Sequence, residues 1–225
     1  MKGPWYRQRP ALLQQVQEDV ETFCSTLHVS LEREVVRIRG TFPVRHVGEE
    51  LDRYAIVLEF PGDYPDGLPI VREVGGRIPW TADHHVYTNG VACVLLPEQL
   101  WWSFPPGTRF LEYLKGPLHN YFLGQSAVAA GGTWPFGEHR HGPNGVIDFY
   151  AEQFGAKELQ VIVRLLELVA EGRLKGHWSC PCGSGNKIRN CHPGAIAVAR
   201  KMPAWAARRS LDWILAAVKS LRPPA

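Results

Sequence analysis

Residues 83–97 read DHHVYTNGVACVLLP. A single cysteine, Cys93, sits among small and apolar residues, with the adjacent pair His84 and His85 upstream and Asn89-Gly90 between them. Asn-Gly favours a tight turn because both residue types tolerate positive φ. The stretch therefore reads as a chain that enters, turns and presents Cys93 on a short extended segment. A thiolate is a strong nucleophile, and a neighbouring histidine can assist it or its substrate. The other reading of such a residue is a buried structural cysteine, since unpaired cysteine is among the most buried types.

Upstream, Leu12, Leu13, Val16, Val20, Phe23 and Leu27 recur at helical spacing, so residues 10–28 read as a helix starting at Pro10, with Cys24 on or beside its apolar stripe. Residues 31–40 alternate β-branched and charged side chains, with Val36 and Ile38 on one face, and read as a strand. A clearer strand follows, where Tyr54, Ile56, Leu58 and Phe60 alternate with Ala55, Val57 and Glu59. The next segment, FPGDYPDGLPIVREV at residues 60–74, carries prolines and glycines that mark a rigid connection, and a short strand is expected at residues 69–74. Strands at such short spacing indicate an antiparallel meander, so the fold class is α+β.

Downstream, Trp101, Trp102 and Phe104 lie among prolines and predict an aromatic cap that shields the cysteine from water. Residues 108–123 predict a helix with Thr108 as N-cap and Pro117 as a kink or break. Residues 126–137 are rich in Gly and Ala and predict a loop. Glu138, His139 and His141 cluster just beyond it, where they either serve a site or hydrogen-bond within a tight turn. A short helix is expected to start near Asp148, and a strongly apolar one to span residues 158–170 with Gly172 as its C-cap.

The length of 225 residues, 45% of them hydrophobic, suits one sizeable domain with a small module. No apolar run is long enough for a membrane span, and no signal-peptide pattern opens the chain, so the expectation is a soluble cytoplasmic protein with no membrane partner. Charge is unevenly placed. Residues 1–171 carry 15 Lys/Arg against 21 Asp/Glu, whereas residues 172–225 carry 10 Lys/Arg and one acid, Asp212. That step suggests a division into residues 1–171 and 172–225, with an acidic partner for the basic tail or simply a solvated basic face.

The second region opens with WSCPCGSGNKIRNCHPG at residues 178–194. Cys180, Cys182, Cys191 and His192 offer four soft or borderline donors within thirteen residues, which suits a closed tetrahedral zinc site of structural rather than catalytic type. Such a module folds because the metal binds. Beyond it, Trp205, Leu211, Ile214, Leu215 and Val218 predict a basic amphipathic helix.

Residues 180–192 resemble the SEC-C type zinc motif, CPCGSGxKxxxCH. The N-terminal region resembles the ubiquitin-conjugating (UBC) family over roughly residues 10–123. Phe60-Pro61-x-x-Tyr64-Pro65 with Pro69 is similar to that family's FPxxYPxxxP segment, and Gly90-Val91-Ala92-Cys93-Val94 to its G-x-I-C-L motif. The resemblance implies a UBC-like fold in which Cys93 carries an acyl group as a thioester. Where the eukaryotic enzymes have His-Pro-Asn, this chain has Asp83-His84-His85, with His85 at the position of the oxyanion-steadying Asn. A histidine there can donate to an oxyanion or act as a base. Asp83, His84, His139 and His141 are further candidates for activating the attacking amine.

The His variant and the HRHGPNGVIDFY stretch resemble prokaryotic UBC-like proteins of antiviral CBASS operons. That resemblance implies a protein partner with a C-terminal glycine, a cGAS/DncV-like nucleotidyltransferase, joined to an amine on a target. No Gly-rich phosphate loop is present, so either the carboxyl is activated elsewhere or the protein works on an acyl group already activated. The rival expectation is a UBC-like scaffold without catalysis that binds a protein or nucleic acid through its basic zinc tail.

Overall fold

The computed structural model describes residues 3–105, 107–136, 140 and 142–220. Its centre is an antiparallel meander of four strands in the order β1-β2-β3-β4: β1 (Leu27–Glu32), β2 (Val35–His46), β3 (Glu49–Glu59) and β4 (Ile70–Glu73). Alternation decides the faces. Val36, Ile38, Phe42 and Val44 of β2, Tyr54, Ile56 and Leu58 of β3, and Val71 of β4 are buried. The opposite face carries an ion-pair ladder across the strands. Glu32 meets Arg37 and Arg39, Arg37 meets Glu59, and Arg72 lies 4.0 Å from Glu59.

Two helical segments cover the apolar face. A short α1 (Trp5–Gln8) leads into α2 (Pro10–Phe23), which buries Val16 and Val20. Phe23 stacks on Phe42 at 5.0 Å between ring centroids. After the sheet come α3 (Leu100–Ser103), α4 (Phe110–Tyr113), a π turn (Leu114–Leu118) and α5 (His119–Ala129). Phe122 of α5 packs on Phe42 and Tyr54, at 5.2 and 4.8 Å. Burying each such ring stabilises by roughly 1.5–3 kcal/mol.

The structure redraws several sequence expectations. The first helix stops at Phe23, and Leu27 and His28 begin β1. The expected single strand at residues 31–40 is a hairpin that reverses at Arg33 and Glu34, both at positive φ (48° and 63°). Arg109, not Thr108, is the N-cap of α4. Pro117 does not end the helical run but lies in the π turn, whose wider spacing accommodates a residue with no N–H to donate. The expected loop at residues 126–137 starts late, because α5 continues to Ala129.

The chain divides into two compact units, residues 1–100 with 106–138, and residues 101–105 with 139–225. Packing thus divides the chain earlier than the charge step at residue 172 does. The second unit is helical: α6 (Pro143–Phe154), α7 (Leu159–Ala170), α8 (Ile188–Cys191), α9 (Pro193–Lys201) and α10 (Ala204–Ser220). Helix α6 starts at Pro143, ahead of the expected Asp148. Helix α7 has Glu171 rather than Gly172 as its C-cap, and Gly172 follows it at φ 65°, with its N–H on the Val169 carbonyl and the Arg173 N–H on Leu168. On α10 the buried set is Ala206, Ala207, Ser210, Leu211 and Ile214, while Trp205 is exposed rather than part of the apolar face. No helix among the described residues is long and apolar enough to cross a membrane.

Candidate active site and candidate metal centre

The Cys93 segment folds as a small hairpin on the free side of β4. A 3-10 turn (Ala82–His84) ends at His85, whose φ of 51° and ψ of 42° are left-handed. Val86 and Ala92 form an antiparallel bridge, and the Tyr87 N–H donates to the Val91 carbonyl. The turn between them closes with the Gly90 N–H on the Tyr87 carbonyl at 2.8 Å. Gly90 has φ 78°, and a Cβ there would come within 2.7 Å of the Trp80 ring, so glycine is required twice over. Asn89 instead accepts from the Val91 N–H through its side chain. The Ala92 N–H donates to the Val71 carbonyl of β4 and ties the returning arm to the sheet, and the Cys93 N–H closes the base of the hairpin on the His85 carbonyl at 2.7 Å.

Cys93 is half-buried, and the Tyr87 hydroxyl points at its Sγ from 3.6 Å. Burial pushes the thiol pKa up; the Tyr87 hydrogen bond works against this, and the Glu98 carboxylate adds to it. Glu98 lies in the 3-10 turn Pro97–Gln99 and is only 3% exposed. The phenols of Tyr87, Tyr113 and Tyr121 are all raised, first by burial and then by the charge that Cys93 carries as thiolate. The sulfur therefore sits in a low-dielectric setting among phenols and one carboxylate.

The histidines are held by different contacts. His84 Nδ1 is 2.8 Å from Thr81 Oγ1, and the His84 carbonyl accepts from Gln125 Nε2 and the Tyr121 hydroxyl of α5. The His85 ring packs on Trp134 at 4.2 Å, and Trp134 in turn lies against Tyr121. Asp83 is exposed. His139 and His141, with Glu138, lie outside the described residues. The structure thus brings Cys93 and His85 together through the backbone, and adds four residues that the sequence did not single out for this site: Tyr87, Glu98, Gln125 and Trp134. Tyr87 lay in plain view two residues after His85, but nothing in residues 126–137 signalled that Trp134 would return to the His85 ring. The Trp101 and Trp102 rings pack inside the second unit, on Trp205 and Phe149.

In the second unit, the donor atoms of Cys180, Cys182, Cys191 and His192 all lie within 4.8 Å of one another, so this cluster can hold a metal ion. The Ser179–Lys187 bridge and the Cys180 N–H on the Asn186 carbonyl fold the Gly183-Ser184-Gly185 loop back. Cys182 Sγ and Cys191 Sγ are 3.4 Å apart, close to the roughly 3.8 Å between sulfurs sharing a tetrahedral ion with metal–sulfur bonds of about 2.3 Å. His192 Nδ1 donates to the Phe154 carbonyl at 2.9 Å, which leaves Nε2 as the acceptor. That Nε2 is buried and has no hydrogen-bond partner among the described residues. Hydrogen bonds from Ser184 bring the Cys182 thiol down to about 6 and favour its thiolate, while burial pushes the neighbouring Cys180 thiol up to about 12. The knuckle docks on α6 through Gly194, where a Cβ would lie 1.7 Å from the Gln153 carbonyl oxygen.

Compared with known proteins, the chain matches no family model, no curated protein and no solved structure.

Proposed function

We propose that this chain is an acyl carrier of the ubiquitin-conjugating type, in which Cys93 forms a thioester with the C-terminal glycine of another protein and passes it to an amine. The observation that carries this reading is the setting of Cys93. A half-buried thiol, with a phenol at its sulfur, lies on a hairpin pinned to the edge of an antiparallel meander. The order of helix, meander, proline-rich connection, cysteine hairpin and helices supports the UBC resemblance. By the same resemblance, the glycine donor is a CBASS cGAS/DncV-like nucleotidyltransferase or a ubiquitin-like modifier, and the setting is antiphage defence in the cytoplasm.

The chemistry is two acyl transfers. Cys93 Sγ attacks a carbonyl already activated as an acyl phosphate ester or thioester; the S–C bond forms and the activating group leaves with its electron pair. An amine nitrogen then attacks, the N–C bond forms, and the sulfur departs as thiolate while the amine's proton passes to a base. Tyr87 is placed to donate to the leaving sulfur. His85 is assigned the oxyanion or the base, with Asp83, His84 and His141 as further proton acceptors. Cys180, Cys182, Cys191 and His192 would hold a structural zinc ion, which supplies a cross-link that fixes the knuckle.

A second reading, a UBC-like scaffold without catalysis, draws on the burial that raises the Cys93 thiol. Incubation with an activated glycyl donor separates the two. A covalent band on a non-reducing gel, lost with dithiothreitol and absent in Cys93→Ala, supports the carrier. Partner capture by Cys93→Ala with no such band on the native protein supports the scaffold.

A further inference from the structure

We propose that the outward face of α10 binds single-stranded nucleic acid. The inner face of this helix is occupied by Ala206, Ala207, Ser210, Leu211 and Ile214, all buried in a helix that packs on α6 and α7. Successive helical residues advance by about 100°, which places Trp205, Arg208, Arg209, Asp212 and Trp213 on the opposite arc, and all five are exposed. Trp205 and Trp213 are 47% and 40% exposed. Trp205 meets Trp101 edge-on at 5.7 Å and keeps its remaining surface in water, and leaving that surface together with Trp213 on one stripe is costly for a face that only needs to be solvated.

Trp205, Arg209 and Trp213 follow each other at i, i+4 and i+8, so the two indoles are about 12 Å apart along the axis with a guanidinium between them. The Arg209 guanidinium lies over the Trp205 ring at 5.6 Å from its centroid. Arg200 and Lys201, at the end of α9, are exposed and precede the helix directly. The region from residue 172 onward has ten Lys/Arg and the single acid Asp212. Positive charge would neutralise phosphates, and flat aromatic and guanidinium faces would stack unpaired bases. An acidic peptide would use the cations and leave the indoles idle, and duplex bases are already stacked on each other. The occupant that uses both features is a single strand.

The test is fluorescence anisotropy of the full-length protein with a fluorescein-labelled oligothymidylate, a duplex of equal length, and polyglutamate as competitor. The single strand should bind more tightly than the duplex, and binding should weaken steeply with salt. Trp213→Ala should weaken binding about tenfold, and Trp213→Phe, which keeps a π face, should retain most of it. Arg208→Ala with Arg209→Ala should flatten the salt dependence. No binding at low salt, equal binding of duplex, unchanged binding by Trp213→Ala, or displacement by polyglutamate at equal charge would each overturn the proposal.

Discussion

Burial and the Glu98 carboxylate oppose ionisation of the Cys93 thiol, while the Tyr87 phenol favours it. A thiol raised in this way is mostly protonated at neutral pH, so its alkylation rate climbs with pH until the thiolate dominates. Removing the phenol removes a favourable contact. Tyr87→Phe should therefore move the iodoacetamide rate profile to higher pH and slow alkylation several-fold near neutrality; an unmoved profile would mean that the hydrogen bond contributes nothing. For single residues the sequence was a good guide to distinctive chemistry and a poor one to contacts. The cysteine, the turn glycine and the four metal donors could be picked out because their chemistry is distinctive and their spacing local. Asn89 was expected at positive φ, whereas it serves through its side chain and Gly90 alone turns the chain. Trp134 reaches the His85 ring from 49 residues away, and no local pattern encodes such a contact.

Among the elements, the meander was legible where alternation is strict, as in β3, and illegible at its first reversal. Arg33 and Glu34 take positive φ without glycine or asparagine, so the hairpin left no turn signature. What holds that reversal is in part the outer-face ladder. Glu32 is brought down to about 2, first by its hydrogen bond with Arg39. A carboxyl depressed on folding stabilises the fold above the ordinary glutamate range, and that contribution is lost as the pH falls towards about 2. The melting temperature should thus fall between about pH 5 and pH 2, and Glu32→Gln should show a shallower fall; an identical slope in both proteins would remove Glu32 from the account. In the second unit the decisive contact is backbone against backbone. Gly194→Ala has no flexible neighbour to push aside at the Gln153 carbonyl, so it should destabilise by about 1–3 kcal/mol in thermal unfolding. Unchanged stability would show that the knuckle can shift along α6.

For the whole molecule, the two units call for different stabilisers. The first has a sheet with an aromatic core at Phe42, Tyr54 and Phe122. In the second, the Cys180 to His192 knuckle has little buried apolar area of its own, with Ile188 its fully buried side chain. We expect one equivalent of zinc by elemental analysis of the purified protein. Chelation should cost helical signal and open the second unit to protease while the sheet persists. A metal-free protein with the same protease map would contradict this. The charge step at residue 172 and the packing division near residue 139 fall at different places, because charges are set by what a surface meets and unit boundaries by what a core buries.

Whether Cys93 carries an acyl group can be read from intact-mass spectrometry of the Cys93→Ser protein expressed together with the products of its neighbouring genes. Serine would trap the acyl group as an ester that outlives a thioester. Acyl transfer to the serine would give an added mass equal to one neighbouring protein minus one water, released by mild base and absent from Cys93→Ala. The unmodified mass in Cys93→Ser, together with undiminished partner binding by Cys93→Ala, would contradict it.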